Sequence, residues 1–166
     1  YGYTKRYAEW TAKALSCPIF ERKRFHTQDF SKYDIIVYGG GLYAGSVSGI
    51  KLIADSWRIL SKKKVFLFTC GLADTNQADN VSNIKKSLSK ALSPEMLSHI
   101  ELFHLRGGID YSKLNFIHKS MMYMLRRMLL KKGLNNLSAE ERYIIDTYGS
   151  CIDFTDSKSI QPLTAK

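Results

Sequence analysis

YDIIVYGGGLYAG, residues 33–45, decides the fold. From Tyr33 to Tyr38 the run is aromatic and β-branched with almost no polar break, and glycine ends it. A strand exposed on one face alternates apolar with polar residues. A nearly continuous apolar run suits a strand covered on both faces, as in a parallel sheet packed between helices. The spacing predicts a strand over 33–40. Downstream, KKVFLFTCG at 63–71 and HIELFHLRGG at 99–108 repeat the pattern. Val47, Ile50, Ile53, Trp57 and Leu60 mark a helix between the first two strands. Val81, Ile84, Leu88 and Leu92 mark another before Ser93-Pro94. Upstream, Tyr7, Ala8, Thr11, Ala14 and Leu15 recur at helical spacing over 4–15, and Pro18 closes that segment. Strand, helix, strand, helix, strand is the order of a doubly wound α/β sheet. With no internal repeat and no linker, the reading is a single domain over 1–166.

Composition sets the outer limits. The 166 residues are 45% hydrophobic, enough for a packed core and too few for a two-domain enzyme. Cys17, Cys70 and Cys151 are far apart and form no C-x-x-C, which argues against a disulfide scaffold or a zinc site and fits a reducing compartment. No apolar run approaches the roughly 20 residues of a membrane-spanning helix, and a cytoplasmic location is expected. His26, His99, His104 and His118 are scattered, so no metal site is expected.

In doubly wound sheets a ligand sits beyond the carboxyl ends of the strands, so the loops after strands carry the functional reading. YGYTK at 1–5 runs directly into a helix. Its backbone amides and the positive helix end suit a phosphate, with Gly2 allowing a tight turn and the Thr4 hydroxyl and Lys5 adding contacts. The same residues also serve as an ordinary cap. GGGLYAGSVSG at 39–49 places three glycines in a row, which suggests positive φ or the close approach of something flat, with Tyr43 able to lie against a ring. TCGLADTNQADN at 69–80 is a polar loop in which Asp79 or Asn80 is expected to cap the next helix. A phosphate nest, a glycine wall and a polar rim together suit a mononucleotide with a broad ring.

At these residues the chain resembles the flavodoxins. YGYTKRYAEW is similar to their phosphate loop and first helix, KYDIIVYGGGLYAG to their third strand and first flavin loop, and FTCGLAD to the second flavin loop. HLRGGIDYSKLNFIHKSMMYMLRRMLLKK resembles the insertion of the flavodoxin-like menaquinone-dependent protoporphyrinogen oxidases. The resemblance implies a flavodoxin-like sheet of order 2-1-3-4-5, with the sequence starting just after the first strand and stopping inside a last helix. It implies a basic helical insertion at about 110–137. It implies FMN as cofactor, held by Tyr1, Gly2, Tyr3, Thr4 and Lys5, by Gly39, Gly40, Gly41, Leu42, Tyr43 and Ala44, and by Thr69, Cys70, Gly71 and Leu72. The cofactor carries the chemistry, so no catalytic side chain is nominated. The expected activity is electron transfer between a reductant and a quinone- or porphyrinogen-type partner. The alternative is a non-enzymatic carrier that turns over only with protein partners.

The charge departs from that family, whose electron carriers are acidic. This chain has a net charge of +10, and from Tyr111 to Ala139 it has no Asp or Glu. Lys113, Lys119, Arg126, Arg127, Lys131 and Lys132 lie there, with Leu114, Ile117, Met121, Met124, Leu125 and Met128 at helical spacing. A basic, Met-rich amphipathic segment reads as a surface for a membrane or a partner, and equally as a helix that packs its apolar stripe on the sheet. The expected partners are a quinone or an electron-transfer protein, with a peripheral contact to the inner membrane face through 111–132. Nucleic acid is not expected: no RNA-binding aromatic pattern or helix-turn-helix accompanies the charge.

Overall fold

A computed structural model describes residues 2–43 and 45–165. The chain divides into two compact units, one made of Gly2–Gly107 with 155–165 and one of Gly108–Phe154.

The first unit is an α/β sandwich. Its strands are β1 (Ile35–Tyr43), β2 (Ser46–Val47), β3 (Lys64–Gly71) and β4 (Glu101–Arg106), in sheet order β2-β1-β3-β4. β1, β3 and β4 run parallel, with Gly41 opposite Cys70 and Cys70 opposite Leu105. β2 folds back antiparallel on the end of β1, pairing Leu42 with Val47. β3 is buried from Val65 to Cys70, as its unbroken apolar run requires of a strand covered on both faces. On one face Val65 and Leu67 join Ile36, Ile53, Leu60, Ile84, Leu88 and Ile100 in the main core. The helices on that side are α2 (Lys51–Asp55), α3 (Trp57–Leu60), α4 (Ala78–Leu88) and α5 (Pro94–His99). On the other face Phe68 meets Tyr7 of α1 (Tyr3–Leu15), ring centroids 6.5 Å apart. The short helix α8 (Gln161–Thr164) packs beside α1.

Three expectations change. The helix read from Val47 to Leu60 is broken into α2 and α3 at Ser56. Neither Asp79 nor Asn80 caps α4. Its N-cap is Gln77, Asp79 lies in the first turn, and the Asn80 amide donates to Asp74 O (2.9 Å), closing the loop instead. The glycines 39–41 belong to the extended strand β1, and none of them has positive φ. They are small for packing reasons. A Cβ on Gly39 would enter the Phe68 ring, and one on Gly40 would strike Val47.

The second unit pairs β5 (Gly108–Asp110) antiparallel with β6 (Cys151–Asp153). It also holds α6 (Phe116–Lys132) and α7 (Ala139–Asp146). Asn115 caps α6 by accepting from His118 N–H (2.8 Å). A capping box of Ser138 and Glu141 starts α7, and Glu141 also holds Lys132 at 2.9 Å. Arg126 stacks over Tyr148, which meets Tyr111. The Asp110 carboxylate accepts from the Ser112 hydroxyl (2.6 Å) and backbone N–H (3.0 Å) and pairs with Lys113 at 2.9 Å.

Candidate functional site

The carboxyl ends of β1 and β3 and the start of α1 converge in the first unit. Gly2 adopts φ +96°, a left-handed conformation that a side chain would strain, and turns the chain into α1. No side chain caps α1, and its first turn holds no acid. The first backbone bond runs from Arg6 N–H to Gly2 O (2.8 Å). The amides of Thr4 and Lys5 therefore precede it, at the positive end of the helix dipole. Lys5 is exposed and lies 3.8 Å from Glu9 one turn on. A Cβ built on Gly41 would come within 3.2 Å of the Thr4 hydroxyl and 2.8 Å of the Tyr43 ring. Hence the helix start and the end of β1 face each other, with only a glycine between them.

Across the sheet, the end of β3 closes the arrangement. Gly107 N–H donates to Gly71 O (2.6 Å), and a Cβ on Gly107 would meet Cys70 Sγ at 2.7 Å and Tyr3 at 3.4 Å. A Cβ on Gly71 would collide with Leu42. Thus Tyr3, Thr4, Gly41, Leu42, Tyr43, Cys70 and Gly71 are brought to one edge. Gly39 and Gly40 are not: their open sides are filled by Phe68 and Val47. Thr69 is fully buried, with its hydroxyl 2.9 Å from His104 Nδ1, so its side chain serves the core. Burial, helped by Lys85, holds the His104 pKa below the usual histidine value, which keeps that imidazole neutral at neutral pH. Tyr1 and Ala44 lie outside the described residues.

Two residues escaped the sequence reading. Arg106, at the end of β4, donates from Nε to Leu72 O (3.2 Å) and lies 3.7 Å from the Asp74 carboxylate. It thereby fixes the loop that follows β3. The signal was an arginine at the carboxyl end of a predicted strand, a position where loops carry function. Tyr7 donates its hydroxyl to Arg106 O (2.7 Å) and accepts from Asp156 N–H (3.2 Å), fastening the end of β4 to the 155–160 segment through α1. Its place on an apolar helix face hid that polar role.

A parallel sheet with a glycine-turned helix start at its carboxyl edge agrees with a comparison against family models: the flavodoxin domain model matches residues 1–135. The chain belongs to the flavodoxin-domain family. Comparison with curated proteins and with solved structures found no match. Flavodoxin domains typically bind FMN and transfer electrons. The residues present fit such a group. The α1 start has the left-handed Gly2, uncapped amides, a hydroxyl and no acid in its first turn, which suits a phosphate. Gly41, having no side chain, lets the Thr4 hydroxyl and the Tyr43 ring come close to the end of β1.

Proposed function

We propose that this flavodoxin domain binds FMN and works as an oxidoreductase, passing electrons between a reductant and a quinone- or porphyrinogen-type partner. This is the activity of the protoporphyrinogen oxidase group that its sequence resembles. The observation that carries the reading is the apposition of the Thr4 hydroxyl and the Gly41 backbone across the carboxyl edge of the sheet.

Bound FMN supplies the electron-transfer chemistry. The chain's own residues bind and orient. Gly2, Thr4 and Lys5 hold the phosphate through amides, a hydroxyl and a cation. Gly41, Leu42 and Tyr43 on one side, and Cys70, Gly71 and Leu72 on the other, line the ring. Arg106 keeps Leu72 and Asp74 in place, so the second wall is set before any ligand arrives and less ordering opposes binding.

The test is steady-state turnover of the FMN-loaded protein with a pyridine nucleotide as donor and a soluble quinone as acceptor. Turnover without any added protein supports an oxidoreductase. Flavin that is bound and reducible, yet turns over only when a protein partner is supplied, overturns that reading in favour of a carrier.

A further inference from the structure

We propose that α6 is a docking helix that lies flat on an anionic lipid surface. The helix carries two different faces. His118, Met122, Leu125, Arg126 and Leu129 turn inward and are buried or half-buried. Opposite them, Phe116 is 84% exposed, Ile117 66%, Met124 68% and Met128 62%. At 3.6 residues per turn, Ile117, Met121, Met124 and Met128 form one narrow seam along the helix. The apolar stripe of the sequence is therefore split: Leu114 and Leu125 are withdrawn, and the methionines face outward.

The charges sort in the same way. Of the six cations between 111 and 139, Lys113 is held by Asp110 and Lys132 by Glu141, and Arg126 is engaged by Tyr148. Among the described residues, Lys119, Arg127 and Lys131 form no ion pair, and Arg127 lies over the exposed Tyr123 ring at 5.9 Å. Arg127 and Lys131 project beside the methionine seam on the outward side. Exposed aliphatic and aromatic side chains with cations alongside match a surface that is charged on top and apolar just beneath. A leaflet containing anionic lipid has that layering, and the cation stems can lie along the apolar layer while their heads reach the phosphates. A second copy would set two basic faces together with no Asp or Glu from 111 to 139 to offset them. No helix among the described residues is long and apolar enough to cross a membrane, so the contact is peripheral.

The experiment is cosedimentation of the full chain with vesicles of phosphatidylcholine alone or with phosphatidylserine added. Binding is expected only with phosphatidylserine and should fall as salt rises. Each cation near such a surface is worth about 1 kcal/mol, or roughly fivefold, so Arg127→Gln with Lys131→Gln should weaken binding about 25-fold. Met124→Ser with Met128→Ser should also weaken it, with circular dichroism unchanged in both variants. No sedimentation of the unsubstituted protein with phosphatidylserine vesicles overturns the proposal, as does equal binding by both double variants. A dimer that dissociates on the methionine substitutions, without lipid binding, assigns the face to a second copy and also overturns it. The inference does not rest on the flavin reading. Measuring FMN content in the same samples keeps the two apart, because protein that binds vesicles without FMN would retain this proposal and refute the other.

Discussion

Helices α1 and α6 look alike as sequences, since each sets apolar residues at helical spacing among lysines and arginines. In the structure they part. α1 turns Tyr3, Tyr7 and Thr11 inward, and its buried tyrosine also satisfies backbone groups at Arg106 and Asp156. α6 buries Leu129 fully and leaves Ile117, Met124 and Met128 in solvent. Periodicity reveals that a helix has an apolar side, but what covers that side is decided by the rest of the chain. Where the fold supplies the cover, the residues hold the structure. Where it does not, the residues are available to something else.

The largest test of this contrast is Tyr7→Ala. It removes a nearly fully buried ring and two backbone partners, and chemical denaturation should show a loss of about 3–5 kcal/mol. A loss under 1 kcal/mol would mean that α1 is not the structural helix of the pair. Gly41→Val comes next. A strand accepts valine, so the fold should survive, but the added methyls crowd Thr4 and Tyr43. FMN affinity should fall by about 1–3 kcal/mol, the usual scale for overpacking, and unchanged affinity in a flavin-fluorescence titration would remove Gly41 from the site. Thr4→Val tests the helix start itself. Losing one hydrogen bond to a charged group should cost about 1–3 kcal/mol of FMN affinity and leave riboflavin nearly unaffected. Equal losses for both would reduce the threonine to a structural role.

The second unit offers a pH test. Hydrogen bonds from Ser112, followed by Lys113, lower the Asp110 pKa to about 2, against roughly 3.9 in an unfolded chain. A depressed folded pKa contributes stability that is present above the unfolded value and is lost as pH falls through the folded one. Melting temperature should therefore drop between about pH 4 and pH 2, and Asp110→Asn should flatten that part of the profile. An unchanged acid limb would assign it to other carboxylates. The smallest effect belongs to α6. Met128→Ala removes an exposed side chain, and stability should move by no more than about 0.5 kcal/mol. A loss of 2 kcal/mol or more would show that the methionine seam is covered after all.

Much of this architecture was legible in the residues. Nearly continuous apolar runs at 33–38 and 65–68 pointed to strands covered on both faces; β3 is buried on both, whereas β1 leaves Ile35 exposed and Val37 and Tyr38 half-buried. Gly2 before a helix marked the tight turn that its φ of +96° displays. The triple glycine was legible only in part. Composition says that no side chain fits there, but not whether a ligand or a neighbour takes the room, and at Gly39 and Gly40 the neighbours Phe68 and Val47 take it. The partners of Arg106 and Tyr7 could not be read from local pattern, because they stand 34 and 99 residues away. The neutralisation of Lys113 and Lys132 was hidden for a different reason: Asp110 and Glu141 sit just outside the acid-free stretch.

The central claim is that the α1 start and the end of β1 form one site for a phosphorylated flavin. It is tested most directly by titrating the unsubstituted protein with FMN and with riboflavin, following the quenching of flavin fluorescence. The uncapped amides and the Thr4 hydroxyl act only on the phosphate, so FMN should bind at least about tenfold more tightly, which corresponds to one charged hydrogen bond of about 1.4 kcal/mol or more. Equal affinity for the two flavins, or no binding of either, would contradict the account.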